Sequence, residues 1–114
     1  MVQREEKLAS KTIFEGKVIR VYHDDVRLPS GKTSKREVVR HHGGVTVAAL
    51  DGDEIYLVNQ YRYAYDEQLL ELPAGKLEMG EDPAECGRRE LSEEVGLEAK
   101  ELKSLGVMYP TVGY

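Results

Sequence analysis

Along this chain, apolar and polar positions first alternate as in strands and only later take up the period of a helix. From Lys11 to Val39 the run KTIFEGKVIRVYHDDVRLPSGKTSKREVV consists of short β-rich stretches broken at Glu15-Gly16-Lys17 and at Pro29-Ser30-Gly31-Lys32. Both breaks carry the Gly and Pro chemistry of hairpin turns, so the pattern predicts a three-stranded antiparallel unit. Large apolar residues are scarce in it, and Phe14 is the one phenylalanine of the chain. A small sheet with so little to bury is expected to lean on another domain or subunit.

His41-His42-Gly43-Gly44 interrupts the pattern and reads as an interdomain linker. Val45 to Leu50 and Ile55 to Tyr61 then predict two strands joined by the turn Asp51-Gly52-Asp53. A polar loop, Ala64 to Gln68, leads to the apolar run Leu69-Leu70-Glu71-Leu72 and the breaker Pro73-Ala74-Gly75. Asp82-Pro83 opens the one clear helix, with Asp82 as N-cap and Pro83 at the first helical position, and Gly96 is placed to close it. Leu102 to Met108 has the pattern of one more strand. The reading is an α+β fold with an N-terminal antiparallel β unit over residues 1–43 and a second domain over 44–114.

With 114 residues, 40% hydrophobic and 32% charged, the chain falls among ordinary folded domains rather than disordered tails. No apolar stretch approaches the ~20 residues of a membrane span, and MVQREEKLASK lacks a signal-peptide apolar region. The expectation is a cytoplasmic protein without a membrane partner. Cys86 is the only cysteine, which excludes an internal disulfide, and with His23, His41 and His42 it forms no zinc pattern. On the helix it reads as buried packing.

The formal charge of −5 and the scattered basic residues argue against nucleic acid as the partner. That charge is unevenly spread: residues 1–44 hold ten basic and six acidic side chains, residues 45–114 six and fifteen. From Glu71 to Glu98 nine carboxylates face only Lys76, Arg88 and Arg89. On a helix advancing about 100° per residue, with Glu90 as origin, Glu94 falls near about +40° and Glu93 near about −60°. Ala84, Leu91 and Val95 cluster from about +100° to about +140°. The apolar edge is expected to dock while the neighbouring edge brings three carboxylates to a common point. Two readings account for it: a solvated acidic face, or a site for a hard divalent cation that offsets the repulsion.

The whole string from Gly75 to Leu97, GKLEMGEDPAECGRRELSEEVGL, resembles the signature of the Nudix hydrolases, with every position in place at Gly75, Glu81, Arg89, Glu90, Leu91, Glu93, Glu94, Gly96 and Leu97. The resemblance implies a Nudix α/β/α sandwich and divalent-metal-dependent cleavage of a nucleoside diphosphate linked to another group. Mg²⁺ is the implied ion, with Mn²⁺ as the alternative. The implied catalytic set is Arg89, Glu90, Glu93 and Glu94. Within it Glu90 and Glu94 are the main metal ligands, Glu93 a further ligand or a water-orienting group, and the backbone carbonyl of Ala74 another ligand. Arg89 and Glu81 are implied to pair and hold the glutamates, with Gly75 permitting a tight turn and Gly96 the helix stop.

Three further segments, GKTSKREVV from Gly31 to Val39, QYRY from Gln60 to Tyr63 and ELPAGK from Glu71 to Lys76, extend the resemblance to the ADP-ribose pyrophosphatase branch. They imply hydrolysis of ADP-ribose, or a related nucleoside diphosphate derivative, to AMP and ribose 5-phosphate. They also imply a homodimer in which residues 1–43 complete the partner's substrate pocket. Arg62 would then contact the pyrophosphate or terminal ribose, Glu71 a ribose hydroxyl, and Arg36 with Glu37 the substrate from the opposite subunit. Read from the residues alone, a pair such as Arg36-Glu37 in a strand is more often a cross-strand surface pair, and an arginine such as Arg62 after an apolar strand is usually just exposed. Tyr61, Tyr63 and Tyr65 stay open between adenine stacking, a dimer contact and strand packing.

Members of this branch continue beyond the point reached at Tyr114, with more strands, a second helix and a loop carrying another catalytic glutamate. The resemblance therefore implies that the sandwich here is incomplete at the C-terminus and that residues 44–114 are a partial Nudix domain. The alternatives are a truncated, inactive chain that only binds nucleotide or metal or self-associates, and an enzyme for another nucleotide sugar.

Overall fold

The structure, a computed structural model, describes residues 3–113 and divides into two compact units. One runs through His41 and includes the segment from Val107, and the other spans His42–Gly106.

The first unit is an antiparallel sheet in the order β1 (Glu6–Glu15), β2 (Ile19–Arg27) and β3 (Thr33–His41). Its two turns close where the Gly residues stand, with Gly16 N donating to Ile19 O at 2.9 Å and Gly31 N donating to Leu28 O at 2.9 Å. The sheet starts at Glu6, ahead of the predicted Lys11, because Glu6 and Lys7 find partners in Arg27 and Val26. Apolar periodicity gives no sign of that pairing, in which opposed charges face one another. The register sets Glu6 opposite Arg27, Glu15 opposite Arg20 and Asp25 opposite Lys35, and each pair closes an ion pair, at 2.8, 3.2 and 2.5 Å respectively. Such cross-strand pairs are the unit of sheet stabilisation. Edge strand β1 carries two register shifts, between Lys7 and Ala9 and between Thr12 and Phe14, a common device at sheet edges.

The second unit holds three two-stranded ladders and one helix. Strand β4 (Gly44–Thr46) pairs with β9 (Ala74–Lys76), β5 (Leu50–Asp51) with β6 (Glu54–Ile55), and β7 (Val58–Arg62) with β8 (Glu67–Glu71), all antiparallel. The continuous strand expected over Val45–Leu50 is therefore divided. Val47 is buried and its N–H donates to Pro73 O at 2.8 Å, so the first half is committed to β9, and only a short hairpin around Gly52 remains of the turn at Asp51-Gly52-Asp53. The start of β8 lies within the expected polar loop, because Glu67 and Gln68 pair with Arg62 and Tyr61.

Helix α1 (Pro83–Val95) has the expected ends. Asp82 accepts from Ala84 N at 3.0 Å and Glu85 N at 3.3 Å, a cap worth about 1 kcal/mol. Gly96 at φ 70° donates its N–H to Ser92 O, a left-handed stop that costs glycine little. The strand expected at Leu102–Met108 does not form. No strand among the described residues pairs with it, Leu105, Val107 and Met108 are exposed, and β propensity without a partner makes no strand. No helix among the described residues is long and apolar enough to cross a membrane.

Candidate active site

The buried face of α1 is Cys86, Gly87 and Leu91, and it is turned from the expected edge. Ala84 is exposed, and the docked arc runs from about −40° at Cys86 to about +100° at Leu91, centred near the position of Glu94. Two glycines explain the turn. A Cβ at Gly87 would meet Val47 Cγ2 at 3.3 Å and Val45 Cγ1 at 3.4 Å, so the bare position lets β4 lie close. A Cβ at Gly75, on β9, would fall on the Glu90 carboxylate. Gly75 is not among the positive-φ glycines: it is required for close approach, not for the tight turn expected of it.

Arg89 organises one side of the site. Its Nε and Nη2 donate to the two Glu81 oxygens at 2.9 and 3.0 Å, its Nη1 to Glu90 Oε1 at 2.7 Å, and its Nη2 to Lys76 O at 3.3 Å. Glu81 also accepts from Glu78 N at 2.9 Å. The Arg89 guanidinium, followed by that backbone N–H, draws the Glu81 carboxyl down to about 2, while Glu81 and then Glu90 push the Arg89 guanidinium up. Glu81 is thus ionised throughout the neutral range, and the expected Arg89–Glu81 pair is formed.

Glu94 is held from other elements. Gln60 Nε2 on β7 donates to Glu94 Oε1 at 2.9 Å, and Ala74 N on β9 donates to Glu94 Oε2 at 3.0 Å. Glu93 is 61% exposed, with its carboxylate 3.5 Å from Arg89 Nη1. The expected meeting of three carboxylates at one point does not occur: among the described residues no group of three or more His, Cys, Asp or Glu could hold a metal. The physical reason is that Glu90 is drawn to Arg89, Glu94 to the strands, and Glu93 to solvent.

An open cleft of ≈ 590 Å³ is lined by residues of β4, β7 and β9 with Arg89 and Glu90, and includes Gln60, Arg62, Ala74 and Gly75. That volume lies within the range of small-ligand sites. Arg62 Nε donates to Glu71 Oε1 at 2.7 Å, and its Nη2 to Glu71 Oε2, a fork that lowers the Glu71 carboxyl and raises the Arg62 guanidinium. Two of the five guanidinium N–H groups are committed there, which leaves three for an anion in the cleft. Arg36 and Glu37 belong to the other unit, on β3. Arg36 is paired with Glu5 at 3.0 and 2.6 Å, and Glu37 stands opposite His23. Of the three tyrosines only Tyr61 lies in a strand, its hydroxyl donating to Asp66 at 2.7 Å, while Tyr63 and Tyr65 are exposed in the following turn, so strand packing does not describe them. Cys86 is fully buried, and burial pushes its thiol up.

Residues 40–114 match the NUDIX domain, and residues 5–39 match the nucleoside diphosphate sugar hydrolase N-terminal domain. The chain belongs to the Nudix family. It is 46% identical over 111 residues to an ADP-ribose pyrophosphatase of Bacillus subtilis (strain 168), covering 96% of this chain and 60% of that protein. It is 46% identical over 102 residues to a methanol dehydrogenase activator of Bacillus methanolicus, covering 89% and 55% respectively. A crystal structure of an ADP compounds hydrolase superposes with a TM-score of 0.82 at 25% identity, over 96% of this chain and 62% of that one. The α+β architecture is accordingly that of a Nudix fold. The chain spans 55 to 60% of the length of these two curated relatives.

Nudix hydrolases generally use divalent metals, and the donors of this chain suit one. Carboxylate oxygens are hard ligands, and Mg²⁺ is commonly bound by one or two carboxylates with waters and substrate phosphates rather than by an all-protein cage. A site with two inward glutamates and an open cleft fits that habit, and the bare Gly75 leaves room for the Glu90 carboxylate. The residue that sequence reasoning missed is Gln60. Gln60 lies two residues before Arg62, on the same face of one strand, but nothing local ties it to Glu94, 34 residues further along the chain.

Proposed function

We propose that this chain hydrolyses the pyrophosphate bond of ADP-ribose or a related nucleoside diphosphate derivative, giving AMP and ribose 5-phosphate. The observation that carries the reading is the close approach of β9 to α1 at Gly75, which sets Glu90 in a cleft that also holds Arg62 and Arg89. The similarity to the Bacillus subtilis ADP-ribose pyrophosphatase supports this substrate class.

Glu90, Glu94 and the Ala74 carbonyl would hold Mg²⁺, or Mn²⁺ in its place, with Glu93 acting at the rim as a further ligand or by orienting water. Such an ion, when bound, supplies neutralisation of pyrophosphate charge and acidification of a water. Arg89 holds Glu90 in place through its pair with Glu81. Arg62, fixed by Glu71, presents its remaining N–H groups to the pyrophosphate or terminal ribose, and Glu71 keeps acceptor capacity for a ribose hydroxyl. Gly96 ends the helix two residues after Glu94, the last of these ligands.

Residues 1–43 form the dimerisation unit and 44–114 the partial Nudix domain. Arg36 and Glu37 act on the substrate of the partner copy in a cytoplasmic homodimer. Support comes from β1, which exposes all ten of its residues, Phe14 among them. A second reading is binding of nucleotide and metal without turnover, favoured by the separation of the three carboxylates, which do not meet at one point.

The test is Mg²⁺-dependent release of AMP from ADP-ribose, with light scattering on the same sample and Glu94→Gln as control. The proposal expects turnover by a dimer, lost in the folded control. Binding without product supports the second reading, and an unaffected control rate overturns the metal assignment.

A further inference from the structure

Glu90 and Glu94 are one helical turn apart, yet their direct hydrogen-bond donors are of opposite kinds, although the Glu94 charge also acts on Arg62. Glu90 shares the cationic Arg89 with Glu81. The hydrogen-bond donors described on Glu94 are both neutral, an amide from β7 and a backbone N–H from β9. A carboxylate only accepts, so the Gln60 amide must present its nitrogen to it. One donor on each oxygen fixes the plane of the carboxylate and leaves each oxygen a lone pair for a further partner.

We infer that Gln60 is a positioning residue that orients Glu94 toward a divalent cation without diminishing its charge. A lysine or arginine at position 60 would also donate to the carboxylate, but it would repel the incoming ion. It would add a further cation to a site where Arg89 already meets Glu90 and Arg62 already feels Glu94. An apolar side chain would leave one oxygen free to turn. Groups that orient metal ligands in this way typically contribute 10- to 100-fold to metal affinity. The inference rests on Glu94 being a ligand, and the experiment separates the two.

Mn²⁺ is titrated into the whole 114-residue chain without nucleotide. The signal of free Mn²⁺ is followed by electron paramagnetic resonance, with Tm as a check on folding. Gln60→Met keeps the length and loses the donor, and is expected to weaken Mn²⁺ binding by about 10- to 100-fold at an unchanged Tm. Gln60→Lys is expected to weaken it further. In the Glu94→Gln background, Gln60→Met should cost nothing more, since it acts only through Glu94. Parental affinity in Glu94→Gln overturns the ligand role of Glu94. Weak binding in Glu94→Gln alongside parental affinity in Gln60→Met overturns the role of Gln60 alone. Were Gln60→Met to lose its fold, parental affinity in a folded Gln60→Lys would overturn it in the same way. Additive losses in the double variant would make Gln60 a merely structural residue.

Discussion

The unit through His41 has strands of ten, nine and nine residues, and Val26 is its one buried apolar side chain among the described residues. The unit from His42 to Gly106 has strands of two to five residues, yet it buries Val47, Pro73, Cys86 and Leu91 around a capped helix of thirteen. The first is held by its backbone ladder and by charges set opposite one another in register. The second is held by packing, and it is the second that carries the carboxylates. Two glutamates one turn apart repel, and a flexible base would let them part. Short strands anchored to a packed helix face hold them where long exposed strands would not.

The largest effect should come from the base itself. Leu91 is 3% exposed, and Leu91→Ala is expected to cost about 3 kcal/mol through lost transfer energy and the cavity left behind. Urea unfolding measures it. A cost below about 1 kcal/mol would mean that the helix face collapses freely, which would remove the contrast between the units.

Gly75→Ala separates stability from positioning. The added methyl meets the end of a flexible side chain, the Glu90 carboxylate, and not backbone, so the carboxylate can swing away at little cost to the fold. Tm should stay near that of the parent while the proposed turnover of ADP-ribose drops by about 100-fold, a loss that a misplacement of about 1 Å can cause. Parental turnover would show that Glu90 need not lie where β9 leaves it room.

The helix, its two ends and both N-terminal turns were legible because each is set by neighbours in the chain: Asp82-Pro83, Gly96, and the Gly and Pro residues of the turns. The Arg89–Glu81 pair is implied by the resemblance to the Nudix signature, and the two side chains do meet. What could not be read depends on partners far along the chain. Period counting placed Ala84 on the docked face. The helix is instead rotated by the close approach of β4 at Gly87 and β9 at Gly75, which no local pattern encodes. Val45 to Leu50 reads as one strand until Pro73 claims the Val47 N–H. Leu102 to Met108 has strand composition but no pairing edge. Gln60 was passed over because an amide in a strand has no chemistry of its own. Its part follows only once Glu94, contributed by another element, is seen to need a donor.

The smallest effect should come from the sheet, and it tests whether ladder or side chains hold that unit. Glu6 and Arg27 stand opposite one another and close an ion pair at 2.8 Å, with side chains 63% and 51% exposed. Exposed pairs of this kind contribute about 0.2 to 1 kcal/mol and are screened by salt. Glu6→Gln should therefore raise amide exchange in the first residues of β1 by no more than about fivefold at low salt, and by less at about 0.5 M salt. If the ladder carries the sheet, exchange at Ser10 to Thr12, further along β1, stays unchanged. If exchange rises along the whole of β1, the registered charges are the main hold, and the first unit owes its order to side chains after all.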